Sequence, residues 1–191
     1  MIISSTMSLE AVIAIPSSYT QADVETIVKM VNVAYDYGEK GMWNDGFTRT
    51  TSQGVSDLLD AHKLLVAKLE GAIVGCIKLD TTFKTQRHDG TPACMAEIGM
   101  LAVQQSNRRQ GLGKRLMNAA IMAAQAANCQ GIELQLVKPK TWPHRVKTFL
   151  AHWYTTLGFT LVGRQDDVAE FARIAQFLAV EVVVELYEMA L

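Results

Sequence analysis

Cysteine is scarce in this chain of 191 residues, and so is unbalanced charge. The three cysteines, Cys76, Cys94 and Cys129, lie far apart and form no CxxC pair. An odd, scattered set makes a poor disulfide framework, so reduced and mostly buried thiols in an intracellular protein are expected. His62, His88, His144 and His152 stand at no metal-ligand spacing with cysteines or acids, so no metal is expected. The net charge of -1 and the lack of a basic recognition helix argue against a nucleic-acid partner. No Lys or Arg precedes Lys29, which argues against a secretory signal. No apolar run is long enough to span a bilayer, so no membrane partner and a cytoplasmic location are expected. No serine sits in a nucleophile elbow. Repeats, low-complexity tracts and linkers are missing too, so residues 1–191 read as a single domain.

What is present is an ordinary globular composition, 49% apolar. Residues 9–15 read as a strand ended by Pro16. Thr20 followed by Asp23 marks a helix start, and Val24, Ile27, Val28, Val31, Ala34 and Tyr35 recur at helical spacing. Val55, Leu58, Leu59 and His62 suggest a short second helix. Residues 63–69 and 72–79 read as strands joined by a Glu70-Gly71 turn. Thr81 to Pro92 is polar and reads as a loop, and 94–103 as a further strand. A helix follows from about Leu112 to Asn128, buried through Leu116, Ala120, Ala123 and Ala127. A strand starts at Gly131. Val146 to Leu157 is helical, and Gly158 suits its C-terminal cap. Strands at 159–163 and 182–186 close the pattern, with a short helix expected over 168–179. Hairpin-like strands followed by βαβ crossovers predict an α/β fold with a mixed sheet flanked by helices.

The segment Arg108-Arg109-Gln110-Gly111-Leu112-Gly113 lies between a strand and a helix. Such a turn suits an anion, because the helix N-terminus leaves backbone N–H groups unpaired and carries partial positive charge. Arg108, Arg109, Lys114 and Arg115 add full charges. A dinucleotide fingerprint fails, since its third glycine would fall at Leu116. A P-loop fails as well, with Arg108 and Arg115 where Gly and Ser or Thr are needed.

Arg108-x-x-Gly111-x-Gly113 resembles instead the pyrophosphate loop of the GCN5-related N-acetyltransferase (GNAT) superfamily. Ala96 to Val103 resembles that family's fourth strand, and Tyr154-x-x-Leu157-Gly158-Phe159 its second motif. The resemblance implies a mostly antiparallel mixed sheet of about seven strands, whose fourth and fifth strands splay apart. It implies acetyl-CoA as acyl donor, with backbone groups of Leu101, Ala102 and Val103 along pantetheine. Arg108, Arg109, Gln110, Gly111, Leu112, Gly113 and Lys114 would hold the pyrophosphate, and Gly99 would be the strand's bulge. Many members carry Asn seven residues before the motif tyrosine, where this chain has Lys147. That lysine could reach a phosphate, and with Lys138, Lys140, His144 and Arg145 it makes either an extension of the anion site or a solvated basic loop.

Acyl transfer to an amine needs a neutral nucleophile, although alkyl amines titrate near ~10. It needs a donor for the oxyanion and a proton for the departing thiolate. By resemblance Glu97 is the general-base candidate, acting through water. Tyr154 is the general-acid candidate, and the Leu101 N–H the oxyanion donor. The alternatives are a carboxylate at a sheet edge and a core tyrosine. Trp43, Asp45 and Phe47 are candidates for an acceptor wall suited to a small-molecule amine, with Gln165 to Val180 as another. A protein lysine or N-terminal acetyltransferase is the alternative enzyme. A non-catalytic acyl-CoA-binding module is the alternative of another class. Val182–Leu186 on a late, exposed strand would let two copies pair, so a homodimer stands beside a monomer as an expectation.

Overall fold

The computed structural model describes residues 10–165 and 175–191. Its strands are β1 (Val12–Ala14), β2 (Leu64–Leu69), β3 (Ala72–Gln86), β4 (Pro92–Val103), β5 (Gly131–Pro139), β6 (Thr160–Gln165) and β7 (Val182–Ala190). Its helices are α1 (Gln21–Gly38), α2 (Ser52–Asp60), α3 (Leu112–Ala126) and α4 (Arg145–Thr156). The capping box expected at Thr20 and Asp23 starts α1, each side chain accepting from the other residue's backbone N–H. Glu70 and Gly71, both at positive φ, turn β2 into β3.

All seven strands form one sheet in the order β1-β2-β3-β4-β5-β7-β6. Among the described residues only β4 and β5 pair parallel, joined by the α3 crossover; every other pairing is antiparallel. The mixed sheet flanked by helices is therefore as the sequence implies.

Helices cover both faces. Leu116, Met117, Ala120 and Ala124 of α3 pack on Ile77, Ile98, Ile132 and Leu134 in the larger core, which α4 flanks through Leu150 and Tyr154. Val24, Ile27, Val31 and Leu59 from α1 and α2 cover Val66, Cys76 and Ala102 on the opposite face. Each fully buried side chain of this size stabilises by roughly 1.5–3 kcal/mol. A smaller cluster of Met42, Val137, Val184 and Leu186 continues that second face.

Three expectations need correction. Thr81 to Pro92 is not simply a loop: β3 continues to Gln86, β4 begins at Pro92, and only the tip turns. From Asp80 to Lys84, β3 takes four steps while β4 takes two, from Glu97 to Met95. This bulge bends the hairpin across the sheet. Lys84 thereby reaches Glu133 on β5, and the His88 backbone N–H donates to Glu188 on β7 at 2.7 Å. Gly163 on β6 accepts the tip: a Cβ there would lie 2.6 Å from the His88 ring. Second, β7 is no edge strand, being paired to both β5 and β6. The sheet edges are β1 and β6, so the exposed strand on which pairing of two copies was expected does not exist at Val182–Leu186. Third, of the helix expected over 168–179 only a 3-10 turn at Ala175–Phe177 is seen, and residues 168–174 lie outside the described residues.

Candidate active site

β4 and β5 stay paired only from Met95↔Gly131 to Ile98↔Leu134. Beyond that, β4 follows β3, with Ala102 opposite Cys76, while β5 follows β7, with Gln135 opposite Leu186. The two strands part at their C-terminal ends, and backbone groups there lack a strand across the gap. Parting is helped by a bulge, since β4 takes three steps from Gly99 to Ala102 where β3 takes two. The left-handed residue is Met100, at φ 47°, so the bulge centres one residue after the expected Gly99.

Gln104 to Gly111 leads from β4 into α3. Arg109 (φ 63°) and Gly111 (φ 78°) are left-handed, and a non-glycine there costs about 1 kcal/mol, a strain commonly held in functional loops. Gly111 is the N-cap and has no side chain to cap with. The first helical backbone bond is Arg115 N–H to Gly111 O, at 3.1 Å. The N–H groups of Leu112, Gly113 and Lys114 thus precede the helical bond pattern, as an anion site requires. Arg108 donates from Nε to Val103 O at 3.2 Å and lays its guanidinium 5.5 Å from the Tyr37 ring centre. Gln110 braces the loop through Ser106 O at 3.1 Å. Arg109 and Lys114 are exposed. Arg115 turns away, donating to Ala11 O at 2.6 Å, so it belongs to the β1 contact rather than to the anion site.

Tyr154 packs against the rings of Phe159 and Tyr187, with centroids 6.2 and 5.9 Å away. Burial raises its phenol above the ordinary value, and the nearby Tyr35 and Tyr187 hydroxyls add to the rise. It is thus a neutral O–H, able to donate a proton. Leu101, Val103 and Tyr154 flank the same core, on the α3 side of the sheet. Glu97 lies between Ala96 and Ile98, which face that core, and so points to the opposite face. There it pairs with Lys78.

Glu97 is also one of four carboxylates in a single cross-strand row. Asp80, Glu97, Glu133 and Glu188 stand directly opposite one another on β3, β4, β5 and β7. Lys63 holds Asp80 at 2.7 Å, and Lys84 lies 2.5 Å from Glu133 and 3.4 Å from Glu188. The sequence shows Glu133 only as the polar member of an alternating strand; the bent hairpin is what buries it.

Trp43, Asp45 and Phe47, with Asn32, Tyr35 and Arg49, line a cavity of about 620 Å³ between the end of α1 and the loop after it. Trp43 and Phe47 stack with centroids 4.0 Å apart, and Phe177 stands 5.8 Å from Phe47. The loop is tied to the segment before β7 by Asn44 N–H to Phe177 O (2.7 Å) and Ala179 N–H to Met42 O (3.0 Å). The first expected acceptor wall therefore meets the Phe177–Ala179 end of the second, whose residues 166–174 lie outside the described residues. Lys147 is not at the anion loop: it is buried, with Nζ 2.7 Å from Glu39 Oε1. His144 is no solvated loop residue either, since it is buried and its Nδ1 accepts from the Lys147 N–H as the cap of α4. Lys138 pairs with Glu185 at 3.1 Å. Tyr35, Glu39 and Lys78 escaped the sequence reading because each looks like an unremarkable helix or strand position.

The sequence description "Acetyltransferase (GNAT) domain" matches residues 60–161, more than half of the chain, spanning the splayed strands and the Arg108–Gly113 loop. The chain belongs to the GNAT acetyltransferase family. It is an acyltransferase. No curated protein matches it by sequence. Its fold is similar to solved structures at low identity. One is an aminoglycoside 6'-N-acetyltransferase complexed with coenzyme A, at TM-score 0.67 and 12% identity, covering 94% of this chain and 96% of that one. Another is the NatC complex bound to Gag peptide and CoA, at 0.63 and 18%, covering 95% and 99%. A third is a ribosomal-protein-alanine N-acetyltransferase from Brucella melitensis, at 0.64 and 18%, covering 94% and 99%. In this GNAT chain an uncapped helix start and a parted strand pair occur together, which fits a long donor with a phosphate-bearing end. Among the described residues no helix is long and apolar enough to cross a membrane.

Proposed function

We propose that this enzyme acetylates the primary amine of a small molecule. The observation that carries the reading is the joining of the two acceptor walls. With Asn44 bonded to Phe177 and Ala179 to Met42, the aromatic cavity has the volume of a small-ligand site, roughly 300–1,000 Å³. A lysine on a folded protein would need an open groove across those walls. Asp45 on the cavity wall favours an acceptor that arrives as a cation.

Acetyl-CoA supplies an activated acyl group when bound. The Gln110 to Lys114 N–H groups and Arg108 would hold its pyrophosphate, and the backbone of Leu101, Ala102 and Val103 its pantetheine arm. Glu97 accepts the proton of the incoming ammonium, through water, and Lys78 holds the carboxylate in place. The Leu101 N–H supports negative charge on the acyl oxygen. Tyr154 donates its O–H proton to the departing sulfur. Its raised affinity for that proton keeps it loaded at neutral pH.

The first test is thermal stability with acetyl-CoA, CoA and ATP. Ligand at a hundred times Kd stabilises by roughly 2.7 kcal/mol. Shifts with both CoA compounds and none with ATP support the donor site. A thiol-release screen of small amines against lysine peptides and N-terminal peptides then separates the acceptors. Turnover with peptides alone would overturn the small-molecule reading. Tight acetyl-CoA binding with no acceptor in either set would point to a non-catalytic acyl-CoA-binding module.

A further inference from the structure

We propose that Cys94 and Cys129 form a reversible redox site, which closes to a disulfide on meeting a low-molecular-weight disulfide such as oxidised glutathione. The two Sγ atoms lie 3.8 Å apart, although the residues are 35 positions apart in the chain. Gln130 sets this geometry. Its backbone N–H donates to Cys94 O at 2.7 Å, and its Oε1 accepts from the Cys94 N–H at 3.1 Å. Cys129, one residue earlier, is thereby held beside Cys94. Both sulfurs lean toward the same acceptor, Thr81 O, at 3.9 Å from Cys94 and 3.5 Å from Cys129. Bringing them to bonding distance, about 2.05 Å, takes a movement of about 1.8 Å, within reach of side-chain rotation.

The two thiols differ in the way such a site needs. Cys94 is exposed and open to a dissolved reagent, whereas Cys129 is buried. Burial, and then the neighbouring Cys94, push the Cys129 thiol up to about 11, so it does not start the reaction. The Cys94 thiolate attacks one sulfur of oxidised glutathione, forming a mixed disulfide and releasing one glutathione thiolate, which takes up the proton Cys94 lost. Cys129 then loses its proton as its sulfur attacks Cys94 Sγ, and a second glutathione leaves and takes that proton. Two protein thiols and one glutathione disulfide become one protein disulfide and two glutathione thiols. Cys76 stays outside this chemistry, being fully buried with its thiol pushed up to about 12.

The ring so closed contains β4, the Arg108–Gly113 loop and α3. Oxidation would staple the whole phosphate-facing unit at the end where β4 and β5 are still paired. The site does not rest on the acceptor reading above.

The experiment incubates the native protein with oxidised glutathione, counts free thiols and maps peptides without reduction. The expected result is a fall from three thiols to one, a Cys94–Cys129 cross-linked peptide, a higher Tm, and full reversal by dithiothreitol. Cys129→Ser should stop at a glutathione adduct on Cys94. Cys94→Ser should resist modification while keeping its acetyl-CoA thermal shift. Wild-type protein that keeps three thiols, or that halts at the Cys94 adduct with Cys129 free, would overturn the proposal. Both of those readouts need no variant to fold.

Discussion

Lys147 on α4 and Glu39 at the end of α1 form an ion pair, Nζ to Oε1 2.7 Å, with side chains only 5% and 3% exposed. Glu39 also accepts from Trp43 Nε1 at 2.7 Å. One carboxylate thus fastens α1, the acceptor-wall loop and the helix that carries Tyr154. Burial lowers the affinity of Lys147 for its proton, and Glu39 opposes that. Removing one partner leaves the other charge buried, so Lys147→Met should cost about 3–5 kcal/mol in urea unfolding. The double variant with Glu39→Met should recover much of that loss. A double variant that loses the sum of the two single losses would show that the pair itself matters little.

Arg108 anchors the loop at Val103 and lays its guanidinium over the Tyr37 ring. Arg108→Glu reverses the charge beside a donor's pyrophosphate. Losing one charge-assisted bond costs about 1.5–3 kcal/mol, so acetyl-CoA should bind roughly 10–100-fold more weakly in titration calorimetry. An unchanged Kd would mean that the loop does not hold the donor.

Tyr154 and Glu97 approach β4 from opposite faces, and their variants should fail differently. Tyr154→Phe should lower kcat by about 100-fold and leave acetyl-CoA affinity nearly unchanged, since the ring packing survives. Glu97→Gln should lower activity most near neutral pH and recover toward pH ~10, where the amine supplies its own neutral form. A parallel loss at all pH values would make Glu97 a structural partner of Lys78.

Acid should weaken the fold through identifiable carboxylates. Burial alone would raise the Asp80 carboxyl, but hydrogen bonds from Lys63 and Thr82 bring it below its ordinary 3.8. Glu185, held by Tyr187, Lys138 and Arg164, likewise ends below its ordinary 4.5 despite burial. Their native values are lower than their unfolded ones, so their stabilisation is complete above the unfolded values. It fades as pH falls through the native values. The Tm should hold from pH 7 to about 5 and drop steeply below about 4. Asp80→Asn should flatten that drop, and an identical acid profile would remove Asp80 from the account.

The parts of this molecule that are local in sequence are legible there. Thr20 with Asp23, Glu70 with Gly71, and Arg108 to Gly113 each state their geometry within six residues. The splay follows only from resemblance, because it depends on which strand each half of β4 pairs with. The Thr81–Pro92 arm misleads because its polar residues look solvated. Lys84 is instead matched to Glu133 and Glu188, far along the chain. Lys147 misleads for the same reason: its partner Glu39 lies 108 residues earlier. Burial of charge is a property of pairs, and a pair of distant residues leaves no periodic trace.

The place of β7 between β5 and β6 also sets an order of assembly. Among the described residues β6 bonds to β7 and to no other strand, so it joins the sheet only after residues 182–190 have been made. Until then the outer edge of β5 is open on the ribosome, and Tyr154 lacks the Tyr187 ring against which it rests. The proposed proton donor thus acquires its full packing only once β7 is in place. Until β7 pairs, the unpaired edge of β5 is the chief hazard for the nascent chain.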